Sequence, residues 1–432
     1  MSSSANRRFD VAVVGAGPAG IAAAVSAADS GAKVALLDDN PRPGGQIWRG
    51  GPGASQKSEA LRWFERLEKS SVKVFHGARV FHVEHGFLTA ESGDAVLSIE
   101  YKELILATGA REFFVPFPGW TLPNVMGAGG LQALVKSGLP VDGKRVVVAG
   151  TGPLLPAVAT YLRERGAKVL AVCEQTPWSL FVRFGLGMLL LPGKMREALR
   201  MLLELGDTPL WTSCWPIAAI GTDRVSAVRL SHKGRVREIE CDYLACGFHL
   251  LPNVETARLA GCRIQEGFVE VNELQQTSIA NVYCAGEPTG IGGLELALVE
   301  GQIAGLAASH EENAARKLFG RRATHRRAVH LMKDAFRLRP ELRAVARPDT
   351  LVCRCEDVLF ERLRAFDSWR SAKLQSRCGM GPCQGRVCGP AVKFLFGWEP
   401  DSVRPPVFPV RCSSLTAIAG SEEVNQLDGG SR

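Results

Sequence analysis

Residues 10–39 read DVAVVGAGPAGIAAAVSAADSGAKVALLDD. The apolar run Val11–Val14 reads as a buried parallel strand. Gly15, Gly17 and Gly20 follow at G-x-G-x-x-G spacing, and the Ala-rich stretch Ile21–Ala28 reads as a helix closed by Gly31. Val34–Leu37 forms a second strand that ends at Asp38. Gly15 permits a tight turn, Gly17 lets the backbone approach a pyrophosphate, and Gly20 lets helix and strand pack closely. The helix N-terminus offers unpaired N–H groups and a positive dipole end to phosphates. Asp38, 18 positions after Gly20, can accept from a ribose hydroxyl. A lone G-x-G-x-x-G is weak evidence. Here strand, helix, second strand and acid all stand in place, so the stretch reads as a dinucleotide site.

Working outward, 432 residues suggest two or three domains, and 46% hydrophobic with 22% charged residues is ordinary for a soluble globular chain. MSSSANRR runs straight into the first strand without an apolar secretory segment, and LGMLLL at 186–191 is too short to span a bilayer. The expected location is cytoplasmic, or peripheral to the inner face of a membrane. The net charge of +8 is concentrated: residues 316–347 hold eleven Lys/Arg against Asp334 and Glu341, so the rest sums to 8 − 9 = −1. That reads as one solvated or interfacial basic segment, not a nucleic-acid surface. None of the twelve cysteines precedes Cys173, and five fall within 353–388, a cluster that points to a metal or redox chemistry.

After Asp38 comes NPRPGGQ at 40–46, where Gly44 and Gly45 permit close backbone approach to a ligand beside Gln46. Residues 56–70 read as a helix. LILATGA at 104–110 reads as a buried strand ending in a small-residue turn. This order resembles the glutathione-reductase-like class of two-dinucleotide flavoproteins, whose ATG segment, here with Thr108 and Gly109, closes the FAD domain. The redox-active cysteine pair of the disulfide reductases is absent; Gln46 stands in that region. No C-x-x-C lies mid-chain, which argues against a thioredoxin reductase.

Val146–Ala149 is another apolar strand, followed by Gly150 and Gly152, a helix at 156–165, a strand at 169–173 and Glu174. This is a second dinucleotide unit with Leu155 where the third glycine belongs. Glu174 would favour NAD over NADP by repelling a 2′-phosphate. The missing glycine leaves three readings open: a working NAD site, an adenine nucleotide in a structural role, or an empty relic of the fold. TSIANVYCAGE at 277–287 resembles the late FAD motif of the class, with Cys284 for a small Ala and Glu287, after Gly286, for the usual Asp. The Gly292-Gly293 start of the next helix would face the flavin.

Cys353-Arg354-Cys355 and RCGMGPCQGRVC at 377–388 supply two close thiolate pairs, with 27 residues between Cys355 and Cys383. Four soft thiolates suit Fe–S or Zn. The segment resembles the bacterioferritin-associated-ferredoxin-type [2Fe–2S] domain, although the second pair there is closer than C-x4-C. That departure and the spare Cys378 leave the fourth ligand open; the expected set is Cys353, Cys355, Cys383 and Cys388, with Cys378 nearby and unbound, and zinc and free thiols are the competing readings.

PRPGGQIWRG at 41–50, CRCED at 353–357, GMGPCQGRVCG at 379–389 and the tail RPPVFPVRCSSLTA at 404–417 are together similar to the larger flavoprotein subunit of opine oxidases. They are similar too to hydrogen cyanide synthase subunits and multi-subunit hydroxyproline or proline dehydrogenases. The resemblance implies an α/β fold of two Rossmann-like domains plus a small C-terminal Cys-rich iron–sulfur domain. The expected division is an FAD domain (1–115 and 270–315), a second nucleotide domain (116–269), a basic helical linker (316–350), the cluster domain (351–400) and a tail (401–432). It also implies a partner flavoprotein subunit that carries the amine-oxidation site, with or without a small third subunit. This chain then passes electrons onward. The alternatives are a stand-alone NADH-dependent reductase and a non-catalytic scaffold.

Overall fold

A computed structural model describes residues 7–51, 58–188, 192–400 and 403–416. They form two compact units, one from 1–110, 252–326 and 402–432, the other from 111–251 and 327–401.

The first unit is built on a seven-stranded sheet. Strands Lys73–His76, Val34–Asp38, Arg7–Val14 and Ala95–Leu106 lie side by side, and the antiparallel strands Phe87–Ser92 and Ala78–Glu84 continue the edge. Val282–Cys284 adds a parallel strand against Leu104–Leu106. Val11 lies opposite both Val34 and Glu103, so the first strand is central. Strands covered on both faces must be apolar throughout, hence the fully buried VALLD of the second strand. The glycine-loop helix runs Pro18–Asp29, slightly longer at both ends than the Ala-rich pattern marks. Its small side chains have a packing cause. Helix Leu294–Ala308 crosses it so closely that a Cβ at Gly301 would lie 2.1 Å from the Ala19 carbonyl oxygen, and one at Gly305 would lie 2.2 Å from that of Ala23. The chain returns to this unit a third time, where the Val407 amide donates to the Phe81 carbonyl at 3.0 Å.

The second unit carries a five-stranded parallel sheet in the order Leu210–Thr212, Lys168–Glu174, Arg145–Gly150, Tyr243–Gly247, Val125–Gly127. Beside it lies an antiparallel meander, Cys214–Gly221, Val225–His232 and Arg235–Glu240. Helix Leu154–Arg163 follows the second glycine turn. Leu155 fits there, fully buried, because Gly247 faces it: a Cβ at Gly247 would stand 3.1 Å from Leu155 Cδ2. The glycine missing from the helix thus has a counterpart on the strand opposite. The cysteine-bearing segment packs in this unit through Phe394 against Phe113, centroids 5.7 Å apart, and through the Trp120 indole N–H, which donates to the Leu351 carbonyl at 2.6 Å. Of the basic stretch 316–350, residues to Arg326 lie in the first unit and the remainder in the second. Helix Ser58–Lys69 corresponds to the one expected over 56–70; Gln56 and Lys57 lie outside the described residues, as do Leu189–Leu191 and Ala417. Among the described residues no helix is long and apolar enough to cross a membrane.

Candidate functional site

In the first unit the glycine loop is fixed by its neighbours. Gly15 has φ +102°, and a Cβ there would lie 2.3 Å from the Ala107 carbonyl oxygen; one at Gly20 would lie 1.7 Å from that of Gly15. Both are therefore demanded by backbone packing. Gly17 differs. It caps helix Pro18–Asp29 with φ −74°, and a Cβ there would project into open space, with Gly45 Cα its first neighbour at 4.0 Å. The second loop closes over the first, since the Gly44 amide donates to the Ala16 carbonyl at 2.7 Å. In that loop the buried Trp48 indole N–H has no partner among the described residues, and Gln46 receives Arg49 at 3.0 Å. Asp38 turns inward: its carboxylate accepts from the Ala16 amide at 2.5 Å and from the Asn40 amide and side chain at 2.8 and 2.7 Å. It ties the two loops together, a role that spacing alone does not reveal. The Thr108 hydroxyl donates to the Asn253 carbonyl at 2.6 Å, and the Asn253 amide donates to Gly109 at 2.9 Å, which joins the ATG turn to the later segment.

The late motif closes the same end of the sheet. Gly286, at φ +79°, passes over Ala19, where a Cβ would meet the Ala19 methyl at 2.8 Å. Glu287 accepts from the amides of Gly292 and Gly293 at 3.2 and 3.1 Å. Glu300, buried and not singled out by the sequence, accepts from the Gly286 amide, the Thr289 hydroxyl and Arg326 at 3.2, 2.9 and 2.9 Å. Burial pushes the Glu287 carboxyl up to about 7 from 4.5. A raised acid binds more protons folded than unfolded between those values, so stability falls as pH rises through that window, by roughly 3 kcal/mol at most. The thermal midpoint of Glu287→Gln should accordingly fall less between pH 4.5 and 7 than that of the unaltered chain. Equal slopes in the two melting series would count against it.

These features fit an extended dinucleotide: of Gly15, Gly17 and Gly20 only Gly17 faces open space, the helix amides are aimed into it, and the flanking loop holds an indole N–H without a partner among the described residues. The second nucleotide fold repeats the plan with a difference. Gly150, at φ +144°, passes under Gly247, where a Cβ would lie 2.1 Å from its carbonyl oxygen. Glu174 is 2% exposed, and its carboxylate accepts from the Thr151 hydroxyl, the Gly152 amide and the Thr176 amide at 2.7, 2.7 and 2.8 Å. Beside Gly152 stands the ring of Phe336, which no sequence signal connects with this loop.

The cysteines of the second unit converge. Cys353 ends strand Leu351–Cys353, Cys378 follows helix Trp369–Ser376, and Cys388 opens helix Cys388–Phe396. Their sulfur atoms lie within 4.8 Å of one another. Cys383 adjoins Cys388, and Cys355 adjoins Cys383 at the exposed edge. The glycines between them are steric necessities. A Cβ at Gly381 would lie 2.3 Å from that of Cys355, and one at Gly379 would lie 2.6 Å from the Trp369 ring. The Gly379 and Glu356 amides point at the Cys353 sulfur, those of Val387 and Gly385 at Cys383. Hydrogen bonds from Cys378 and Cys388 hold the Cys353 thiol down at about 2, and Cys388 does the same for Cys383, at about 5. Negative charge on some sulfurs disfavours it on the others: Cys378 is pushed up to about 12 by its bond to Cys353. Five thiols in touch, two poised as thiolates and met by backbone N–H groups, are a donor set for a soft metal centre. Geometry draws Cys378 into the innermost triad, where the spacing of the motif suggests only a nearby thiol.

A family model described as pyridine nucleotide-disulphide oxidoreductase matches residues 9–304. An opine oxidase subunit of Agrobacterium tumefaciens is 32% identical over 95% of this chain and 92% of its own length. Hydrogen cyanide synthase subunit HcnB of Pseudomonas aeruginosa is 32% identical over 87% of this chain and 90% of its own. Among solved structures, L-proline dehydrogenase from P. horikoshii superposes with a TM-score of 0.64 at 19% identity, covering 96% of this chain and 81% of that one. Thioredoxin reductase from T. acidophilum gives 0.57 at 22% identity, covering 71% and 100%. At those identities both show the fold alone, two Rossmann-like nucleotide units. With that fold, the glycine loops and a similarity running nearly end to end, the chain belongs to the pyridine nucleotide-disulphide oxidoreductase family, alongside the opine oxidase subunit and HcnB.

Proposed function

We propose that this oxidoreductase is the FAD- and [2Fe–2S]-carrying electron-transfer subunit of a hetero-oligomeric dehydrogenase. The complex would oxidise the C–N bond of an opine or of a secondary amino acid such as hydroxyproline or proline. The observation that carries the reading is the near full-length similarity to an opine oxidase subunit in a chain that also gathers five thiols in one place. FAD supplies acceptance of an electron pair and its release one electron at a time. In the first unit the amides around Gly15, Gly17 and Gly20 would bind its pyrophosphate, with Gly45, Gln46, Thr108 and Gly109 lining the cradle and Gly286 and Glu287 closing it. In the second, Cys353, Cys355, Cys383 and Cys388 would hold the cluster. Their sulfurs form a continuous chain, Cys353 to Cys388 to Cys383 to Cys355, from which Cys378 branches. Gly379, Gly385 and Val387 amides aimed at the sulfurs would stabilise the reduced centre and raise its potential.

Amine oxidation also needs a group to hold the substrate carboxylate beside a flavin. Arg42, Arg49 and Arg111 are the candidate arginines, and each is engaged: Arg42 donates to the Gly50 carbonyl at 3.4 Å, Arg49 to Gln46 at 3.0 Å, and Arg111 to the Arg386 carbonyl at 3.2 Å. A separate flavoprotein subunit would supply that site. The expected result is dye-linked dehydrogenase activity toward opines or hydroxyproline only when the chain is co-purified with its co-encoded flavoprotein subunit. Full activity from this chain by itself would remove the division of labour. The equal identity to HcnB supports a second reading, a cyanide-forming complex, which cyanide release by the same preparation would distinguish.

A further inference from the structure

The two glycine loops of this chain look out on different things. At Gly17 the position of a missing side chain faces open space beside another glycine. At Gly152 it faces an aromatic ring: a Cβ there would lie 3.9 Å from Cγ of Phe336, 184 residues further along. Phe336 is 5% exposed and is held edge-on by Phe184 and Phe181, centroids 5.0 and 6.4 Å away.

The segment around it is fastened to the residues that follow the second strand. Gln175 and Thr176, both fully buried, come directly after Glu174, where a dinucleotide fold receives the adenosine half of its ligand. Here they bond to protein. The Gln175 side-chain amide donates to the Arg337 carbonyl at 3.0 Å and accepts from the Arg339 amide at 3.0 Å. The Thr176 hydroxyl reaches the Ala335 carbonyl at 3.4 Å. Both ends of the segment are anchored. Upstream, Leu331 packs so close to helix Trp178–Met188 that a Cβ at Gly187 would stand 3.0 Å from its Cδ2. Downstream, the Arg339 guanidinium lies 4.9 Å over the Trp215 ring, and Leu342 is fully buried in the core of the second unit.

We infer that residues 335–339 form an internal strap that closes the second dinucleotide fold. Phe336 stands where a pyrophosphate would meet Gly152, and Gln175 and Thr176 direct their hydrogen bonds to the strap. Glu174 has no part in choosing between NAD and NADP, because its oxygens serve the loop itself. Phe336 is then a specificity determinant of the chain. It excludes a pyridine nucleotide as electron donor, so electrons reach this chain from an amine-oxidising flavoprotein and not from NADH. The sequence leaves three states of this fold open, and the strap selects the one without a ligand. It does so whichever amine the complex oxidises.

The test uses the full-length, cofactor-loaded protein. Equilibrium dialysis against NADH, NADPH and ATP at millimolar concentration should find less than a tenth of an equivalent bound, and none should raise the melting temperature. Anaerobic NADH should leave the flavin absorbance unchanged. Binding of a full equivalent of any of the three, or bleaching by NADH, would overturn the inference. Hydrogen exchange supplies an arm independent of activity. The Arg339 amide should be protected, and Gln175→Ala should speed its exchange by about tenfold or more through loss of its acceptor. An Arg339 amide that exchanges freely in the unaltered chain would equally refute the strap.

Discussion

Replacing Gly17 with valine should yield a folded, colourless protein. The substitution separates fold from cofactor as its neighbours cannot. A methyl at Gly15 or Gly20 would drive into a backbone carbonyl at 2.3 or 1.7 Å, so those variants would unfold the loop before reporting on any ligand. At Gly17 the backbone sits at φ −74°, open to any residue, and the new side chain would enter free space. That space is where a pyrophosphate would accept from the first amides of helix Pro18–Asp29. Hydrogen bonds to charged groups contribute about 1.5–3 kcal/mol each, so losing two weakens binding by a factor of roughly 10²–10⁴. Flavin content after gel filtration, set against an unchanged far-ultraviolet dichroism spectrum, is the measurement. A yellow Gly17→Val protein would remove the FAD assignment from this loop.

Cys388→Ser should abolish the iron centre, and Cys378→Ser should spare it. Cys388 lies between the other sulfurs, in reach of Cys353, Cys378 and Cys383 at once, and no other thiol replaces it at the start of its helix. Cys378 is fully buried in the innermost triad. The [2Fe–2S] resemblance leaves it outside the four expected ligands, a packing thiol beside the centre. Iron and acid-labile sulfide should fall to background in the first variant and stay at two each per chain in the second, with the reduced-state electron paramagnetic signal following. The reverse pattern would exchange the two cysteines' roles. Zinc in place of iron would dismiss an electron-carrying centre altogether.

The first nucleotide fold was legible because its signals are local: glycine spacing, apolar strands and the closing acid all fall within residues 10–39. The thiol cluster was legible for the same reason, through two short spacings. What escaped are bonds that reach across the chain. Leu155 looked like a defect in the second loop until Gly247, on another strand, supplied the room. Glu300 showed nothing in its helix to mark it as the acceptor for Gly286 and Arg326. Phe336 lies in a stretch that reads only as a basic helical linker, whereas the helix stops at Ala335 and frees it to turn into the loop. Such partners are chosen by tertiary packing, which local periodicity does not encode.

The first unit is assembled from three separated stretches, and its sheet is completed by Val282–Cys284 beside a strand ending at Leu106. A ribosome adding about 5–20 residues per second therefore needs roughly 15–60 s to reach Ala308, the end of the helix that covers the glycine loop. During that interval the buried face of the first sheet lacks its lid, and residues that belong to the other unit emerge in between. Capture of FAD at this loop would thus be a late event in biosynthesis. The nascent chain passes through a long phase in which its apolar strands depend on chaperones or on speed to escape aggregation. The last clasp comes later still, when Arg411 and Ser414 reach back to Glu91.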